Sequence, residues 1–307
     1  MKKGRKYKKN AIRNKRDQID LNLMLLPSMI FLIIFSFIPM FGIVMAFQNY
    51  MPAKGILGSE WVWLDNFKFM FQMPDSKQIF MNTIIIAFWK IVVGTIVTIL
   101  FALLLNEIKI KWAKKSIQTI VYLPNFLSWV ILATVVVNVF GYDGPINDFL
   151  EKLGLERILF LASNDWFRPM LVVTDVWKGF GYGAIIYLAS LSSIDPGLYE
   201  AAAIDGANRF KRILHITLPG ILPTIMLVTI MNLPNILNAG FDQIFNLYNP
   251  LVMETSDIID TYVYRVGLVQ RQYSLGTAVG LMRSIVGIIL ILSANKLAQK
   301  LTDYRIF

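Results

Sequence analysis

The chain has 307 residues, of which 56% are hydrophobic and 16% are charged, with a mean hydropathy of +0.55 and a net charge of +10. Soluble domains carry about 25% charged residues, so this composition excludes an ordinary soluble globule, and its apolar content excludes a disordered chain. The chain has no cysteine and one histidine, which excludes disulfide scaffolds, thiolate metal sites and cysteine nucleophiles. We therefore expect a membrane protein with no metal site and no catalytic residues.

Six apolar stretches are long enough to cross a bilayer, since a transmembrane helix needs about 20 apolar residues. They cover residues 23–47, 79–105, 116–140, 169–191, 216–238 and 275–298. We predict an all-α, polytopic membrane protein with its six-helix domain over residues 23–300. A basic segment (1–22) precedes this domain and a short tail (301–307) follows it.

The loops between the spans differ in their content of Lys and Arg. Nineteen lie at the two termini and in the loops after the second and fourth spans, and eight lie in the other loops. The side richer in basic residues faces the cytoplasm, so both termini are predicted to be cytoplasmic, in a multi-pass protein of the cell membrane. The basic N-terminal segment is expected to meet lipid head groups. Because the basic residues are scattered over loops, we expect no nucleic-acid partner.

Aromatic residues are frequent in the predicted outer loops, with Trp61 and Trp63 before the second span and Trp166 before the fourth. Such residues are typical of the aromatic belt at a membrane interface. A platform on which sugar rings stack is the alternative interpretation.

The loop between the fourth and fifth spans, residues 195–215, has the pattern of a short helix–turn–helix. Asp195-Pro196-Gly197 is a helix start, residues 198–205 are good helix formers, and Gly206 permits a sharp change of direction. This pattern indicates an element that docks into a cleft of a soluble partner. An ordinary interfacial helix is the alternative.

Residues 200–219 read Glu-Ala-Ala, three residues, Gly, nine residues, Ile, one residue, Leu-Pro. This pattern resembles the motif of the permease subunits of ABC importers. Residues 177–183, 191–195 and 241–245 also look like the carbohydrate branch, namely maltose-type and lipoprotein-type oligosaccharide permeases of Gram-positive bacteria. The resemblance covers about residues 21–307 and implies the type I ABC-importer permease fold. It implies that the chain forms the translocation pathway for an oligosaccharide.

The resemblance also implies the partners of the chain. These are a second, homologous permease in a heterodimer, two cytoplasmic ATPase subunits, and an extracellular solute-binding lipoprotein that delivers the oligosaccharide. Coupling to the ATPase is expected at Glu200, Ala201, Ala202, Asp205, Gly206, Arg209, Ile216, Leu218 and Pro219. The chain has no Gly-x-x-x-x-Gly-Lys-Ser/Thr loop to hold phosphates. We therefore expect no enzymatic activity and no bound cofactor, with ATP and Mg²⁺ on the partner ATPase.

Polar residues within the spans are costly and are candidates for function. Asp175 and Lys178 are one turn apart and either pair with each other or line a cavity. Asn235, Asn238 and Asp242 follow Pro234 on one predicted helical face, where they line a pathway or join helices. The predicted substrate pathway comprises Asp175, Trp177, Lys178, Tyr182, Asn235, Asn238 and Asp242.

Lys90 and Arg283 also lie within spans, and their roles are left open. Arg283 shares one predicted face of the sixth span with Gly276, Gly280 and Gly287, where small residues allow close packing. Two other function classes are a secondary transporter and an intramembrane enzyme. A secondary transporter often shows internal repeats, none of which is visible here. An intramembrane enzyme needs paired acids, a nucleophile with a base, or metal ligands.

Overall fold

The computed structural model describes residues 15–302, apart from the side chains of residues 15–18, 20, 234, 235, 294 and 297–302. The α-helices are α1 (Lys15–Leu32), α2 (Ile38–Met40), α3 (Gly55–Gly58), α4 (Asp65–Gln72), α5 (Ser76–Glu107), α6 (Lys111–Tyr122), α7 (Trp129–Phe140), α8 (Pro145–Lys152), α9 (Asn164–Ser192), α10 (Pro196–Ile204), α11 (Arg209–Arg212), α12 (Leu218–Asn232), α13 (Phe241–Leu247), α14 (Met253–Ser256), α15 (Ile259–Tyr262) and α16 (Tyr273–Thr302). Two short strands, β1 (Gln48–Asn49) and β2 (Glu60–Trp61), pair antiparallel with Gln48 opposite Trp61.

Tighter and wider helical turns interrupt the α-helices. The 3₁₀ segments are Phe41–Phe47, Leu123–Phe126, Leu233–Leu237 and Pro250–Val252, and the π-helical segments are Ile33–Phe37, Ile213–Thr217 and Val263–Val269. Such turns are often found at hinges and functional sites.

Five stretches of the described chain are long and apolar enough to cross a membrane: Leu21–Phe47, Ser76–Glu107, Trp129–Lys152, Arg209–Asn232 and Tyr273–Ser293. The predicted fourth span falls within α9, a 29-residue helix that is not among these five. With α9 included, the described part of the chain has six long helical segments, in agreement with the all-α class.

The core lies where α5 and α9 pack against each other and against their neighbours. Ile86 of α5, Phe167 and Leu171 of α9, and Ile244 of α13 are buried in one apolar cluster. A Cβ atom on Gly181 would lie 2.6 Å from the carbonyl oxygen of Val121, so this glycine permits the close approach of α6 to α9. Helix α9 therefore lies at the centre of the fold.

The predicted third span, 116–140, is not one continuous helix. Helix α6 ends at Tyr122 and α7 begins at Trp129, with the 3₁₀ segment Leu123–Phe126 between them. Pro124 lacks a backbone N–H, and Leu127 and Ser128 are extended. We call residues 123–128 the first helix break.

The predicted fifth span, 216–238, is also interrupted. Helix α12 ends at Asn232, the 3₁₀ segment Leu233–Leu237 follows, and α13 begins only at Phe241. Gly240 has φ +93°, in the left-handed region that favours glycine. The prediction that Asn235, Asn238 and Asp242 share one helical face is therefore wrong, because residues 233–240, which we call the second helix break, separate Asn238 from the helix that carries Asp242.

The first long helical segment, Leu21–Phe47, is much more exposed than the core around α5 and α9. Its large apolar side chains over residues 21–41 are exposed, whereas the 3₁₀ segment Phe41–Phe47 packs on α16 and buries Ala46. The segment therefore presents an unpaired apolar surface along most of its length.

Candidate functional site

The loop over 195–219 folds through hydrogen bonds between near neighbours. The Asp195 side chain accepts a hydrogen bond from the Gly197 amide at 2.9 Å and so caps α10, with Pro196 as its first residue. The Asn208 side chain accepts from the Lys211 amide at 2.8 Å and caps α11. Between the two helices Gly206 has φ +74°, which gives the turn that the sequence predicts.

The predicted coupling residues lie mostly on the surface of this loop. Glu200, Ala201, Asp205 and Arg209 are exposed. Helix α10 starts at Pro196, as the sequence predicts, so Glu200 lies four residues into the helix. Ile216 belongs to the π-helical segment, and Leu218 and Pro219 open α12. The Tyr199 hydroxyl lies 3.0 Å from that of Thr217, which joins α10 to the base of the fifth span.

Four large apolar side chains of the loop are also exposed. The exposed fractions are 52% for Leu198, 88% for Ile204, 72% for Phe210 and 49% for Leu214. A contiguous exposed apolar patch marks an interaction surface, and these residues lie on the loop that the sequence predicts to contact a partner. The motif comparison did not single them out, although apolar residues in a polar loop were a visible signal.

Two cavities lie on either side of the second helix break. The aromatic cavity, of about 540 Å³, is lined by Trp129, Asn238, Gly240, Phe241, Asp242, Asp260, Val263, Tyr264 and Arg283. The lysine cavity, of about 390 Å³, is lined by 16 residues that include Lys90, Thr98, Asp175, Asn232, Asn238 and Gly240. Asn238 and Gly240 line both cavities, so the second helix break forms a wall between them.

The structure brings some predicted pathway residues together and separates others. Asn238 and Asp242 meet in the aromatic cavity, and Asp175 lies with Asn238 in the lysine cavity. Trp177 and Tyr182 are 42% and 49% exposed and line neither of these two cavities. The side chain of Asn235 lies outside the described residues.

Asp175 and Lys178 do not form the ion pair considered from the sequence. Asp175 lies 3.4 Å from the ammonium of Lys90 on α5. The Lys178 ammonium instead donates hydrogen bonds to the carbonyl oxygens of Pro124, Asn125 and Leu127, at 3.2, 3.1 and 2.6 Å. It also lies 5.8 Å from the ring centre of Trp129.

Lys90 and Arg283 have partners that the sequence did not predict. Lys90 is 8% exposed and donates to the Ala239 carbonyl at 2.6 Å and to the Gln243 side chain. Arg283 donates to the Leu237 carbonyl at 3.1 Å and forms an ion pair with Asp260. Arg283 therefore contacts protein groups, and it also lines the aromatic cavity. Of the three glycines on the predicted face of the sixth span, Gly276 is closely packed, because a Cβ atom there would lie 2.7 Å from the Cα of Gly267. A Cβ atom on Gly280 or Gly287 would have no atom within 4 Å.

Two arginines form ion pairs within the loops that the sequence predicts to lie outside the cell. The hydrogen bond with Glu151 raises the pKa of Arg157, which also pairs with Asp143 and Asp148. The hydrogen bond with Asp257 raises the pKa of Arg265, and the two side chains lie 2.5 Å apart. Both guanidinium groups therefore stay charged, and these contacts should not respond to pH through the arginines.

Comparisons with known proteins agree with this architecture. Residues 94–303 match a family described as the binding-protein-dependent transport system inner membrane component. Protein LplB of Bacillus subtilis (strain 168) is 43% identical over 95% of this chain and 92% of its own length. The polygalacturonan/rhamnogalacturonan transport system permease protein YteP of the same organism is 42% identical over 94% of this chain and 90% of its own length.

A solved structure also matches nearly the whole chain. A chain from the crystal structure of a bacterial ABC transporter involved in the import of the acidic polysaccharide alginate is 40% identical. The match has a TM-score of 0.85 and covers 94% of this chain and 97% of that chain. A second structure shows the alginate transporter in complex with a periplasmic protein bound to an alginate pentasaccharide, with 39% identity and a TM-score of 0.85 over 95% of this chain and 98% of that chain.

Proposed function

The chain belongs to the family of inner membrane components of binding-protein-dependent transport systems, and we propose that it conducts an oligosaccharide that an extracellular binding protein delivers. Membership confirms the resemblance seen in residues 200–219. The protein is a multi-pass membrane permease of an ABC importer and not an enzyme, since ATP hydrolysis belongs to a separate subunit.

The match to the alginate importer carries the proposal for the substrate, because it extends over 94% of the chain. The aromatic cavity supports it. Trp129, Phe241 and Tyr264 offer aromatic faces, and Asn238 and Asp242 offer hydrogen-bonding groups. Aromatic surfaces with a few polar groups suit a sugar, which has apolar C–H faces and polar hydroxyls. We propose Asn238 and Asp242 as the pathway residues that line this cavity.

The loop over 195–219 is the proposed contact with the ATPase subunits, which bind ATP and Mg²⁺. Its exposed Leu198, Ile204 and Phe210 supply an apolar surface beside the charges of Glu200 and Arg209. Because this loop and the termini lie on the side that is richer in Lys and Arg, we place both termini in the cytoplasm. The exposed apolar side chains over 21–41 are the proposed contacts with lipid and with the second permease of a heterodimer.

Reconstitution tests this function. The permease pair and the ATPase subunits are placed in proteoliposomes with the binding protein outside, and uptake of labelled oligosaccharide is measured with ATP inside. We expect uptake that stops without ATP or binding protein and persists in an uncoupler. Uptake that survives removal of the ATPase and collapses in the uncoupler would instead establish a secondary transporter.

A single-cysteine scan tests the orientation, since the chain has no native cysteine. A cysteine at Lys54 or Tyr248 should react with an impermeant thiol reagent applied to intact cells, and one at Arg209 should react only after the cells are opened. Reaction at Arg209 in intact cells would place the loop outside and contradict its contact with the ATPase.

A further inference from the structure

Each of the two helix breaks lies against a lysine from a neighbouring long helix. Lys178 of α9 donates to three carbonyl oxygens of the first break. Lys90 of α5 donates to the Ala239 carbonyl of the second break and to Gln243, and it pairs with Asp175 at 3.4 Å. An ammonium group has three N–H donors, so each lysine has one acceptor for each donor.

A helix break within a membrane leaves backbone carbonyls without partners, and the hydrocarbon supplies no water to replace them. At the first break, Leu127 and Ser128 are extended. The Leu127 amide donates to the Pro124 carbonyl at 3.2 Å, and the Ser128 carbonyl accepts from the Leu132 amide at 3.0 Å. The Lys178 ammonium meets the Leu127 carbonyl at 2.6 Å. The lysine therefore adds donors to the carbonyls of the break, and the carbonyl dipoles in turn stabilise its charge.

The second break is shaped around Lys90. A Cβ atom on Gly240 would lie 2.8 Å from the Lys90 ammonium nitrogen, so a side chain at this position would require the lysine to shift, and the φ of +93° at Gly240 also favours glycine. Lys90 is only 8% exposed, and its ammonium is held by groups of the protein. A buried cation with this set of partners is poorly placed to bind a passing substrate.

Both contacts depend on α9. Lys178 is part of α9, and Asp175 on the same helix pairs with Lys90. The Gln243 amide, which Lys90 contacts, donates to the Leu171 carbonyl and the Thr174 hydroxyl of α9, both at 2.8 Å. Helix α9 thus fixes both breaks, one of which is the wall between the two cavities.

We propose that Lys90 and Lys178 are positioning residues that hold the two helix breaks against α9 and so set the shape of the translocation pathway. This positioning role differs from the direct contact with substrate that the sequence suggested for Lys178. The inference rests on the proposed transport function.

The test uses the complete reconstituted transporter with Lys178→Met and Lys90→Met. Lys77→Met is the matched control, because Lys77 is an exposed lysine in the first turn of α5, 13 residues before Lys90. Each variant is assayed for assembly, for the kcat and KM of uptake, and for the rate at which a cysteine at Asn125, in the first break, reacts with a methanethiosulfonate reagent. Because this chain has no native cysteine, labelling of this chain reports the cysteine at Asn125 alone.

We expect both break variants to lose about tenfold or more in kcat, since small misplacements in a site are costly, with KM nearly unchanged. Lys178→Met should also accelerate the reaction of the cysteine at Asn125, and Lys77→Met should change none of these values. A raised KM with an unchanged labelling rate would overturn the proposal for Lys178 and establish a substrate contact. If Lys178→Met and Lys90→Met keep the wild-type kcat and the wild-type reaction rate at Asn125, the positioning role is overturned for both lysines.

Lys178→Arg keeps the test decisive if Lys178→Met fails to assemble. Arginine retains the charge, but its planar fork cannot reproduce the arrangement of the three ammonium donors. We expect an assembled complex with labelling faster than that of the wild type, and wild-type labelling would overturn the proposal. Failure of the unmodified transporter to take up sugar would count against the proposed function instead.

Discussion

The loop over 195–219 and the second helix break over 233–240 both depart from a regular helix, but different contacts hold them. The loop is capped by Asp195 and Asn208, each bonded to an amide two or three residues away. The break is held by Lys90 and Arg283, which are 149 and 46 residues away in sequence from the carbonyls that they contact. The loop is exposed, whereas Lys90 is buried.

This difference separates two kinds of function in one chain. The loop keeps its shape through its own residues, so it can present one surface to a separate subunit. The break takes its shape from α5, α9 and α16 together, so a displacement of any one of these helices changes the wall between the two cavities. Substitutions in the loop should therefore act on attachment of the ATPase, and substitutions at the break should act on passage of the substrate.

Gly206→Val should have the largest effect on the loop. The φ of +74° at Gly206 costs an ordinary residue about 1–2 kcal/mol, and a β-branched residue is the least tolerant of it. We expect the turn between α10 and α11 to change, the ATPase to be lost on co-purification, and uptake to be abolished.

Gly154→Val is the control for that experiment. Gly154 has φ +76°, and a Cβ at either glycine would have no atom within 4 Å, so the backbone strain is matched. Gly154 lies in a loop predicted to be outside, and its variant should keep the ATPase. A Gly206→Val permease that retains its ATPase and transports at the normal rate would contradict the coupling role.

Ile204→Glu should have the next largest effect. Ile204 is 88% exposed, so a charge there should not disturb the fold, but it would have to be desolvated against a partner. We expect the affinity for the ATPase to fall by about tenfold, the equivalent of about 1.4 kcal/mol, in a titration of purified ATPase. Leu57→Glu, at a side chain that is fully exposed in α3, should leave this affinity unchanged, and equal effects of the two variants would argue against a specific surface.

The contrast between contacts of near neighbours and contacts of residues distant in sequence explains which features could be predicted from the sequence. Asp195, Gly206 and Asn208 act on their nearest neighbours, so the helix start, the turn and the second helix follow from local patterns. The partner of Asp175 could not be predicted, because Lys178 and Lys90 were both possible and only the packing of α5 on α9 selects Lys90. The breaks at Pro124 and Pro234 were also missed, because a proline in a membrane helix causes a kink or a break according to the donors that neighbouring helices supply.

Asn238→Ala should have a smaller effect, on transport alone. The Asn238 side chain accepts a hydrogen bond from the Gly240 amide at 3.3 Å and lines both cavities. Loss of a neutral hydrogen bond is worth about 0.5–1.5 kcal/mol, so uptake should fall by a few fold while ATPase attachment is unchanged. Asn246→Ala is the control, since Asn246 bonds the Asp242 carbonyl within its own helix. Normal uptake by Asn238→Ala would contradict the proposal that Asn238 is a pathway residue.

Glu200→Ala should have the smallest effect. Since α10 begins at Pro196, Glu200 lies beyond the first turn, where the helix dipole no longer stabilises a carboxylate. The interaction that we propose for Glu200 is an exposed ion pair with a basic group on the ATPase, and such pairs are worth about 0.2–1 kcal/mol. We expect the affinity for the ATPase to fall by a few fold at low salt and by less at high salt, because salt screens exposed charges. Glu200→Gln should behave like Glu200→Ala, and a complete loss of attachment, or a loss that does not depend on salt, would show that Glu200 shapes the loop itself.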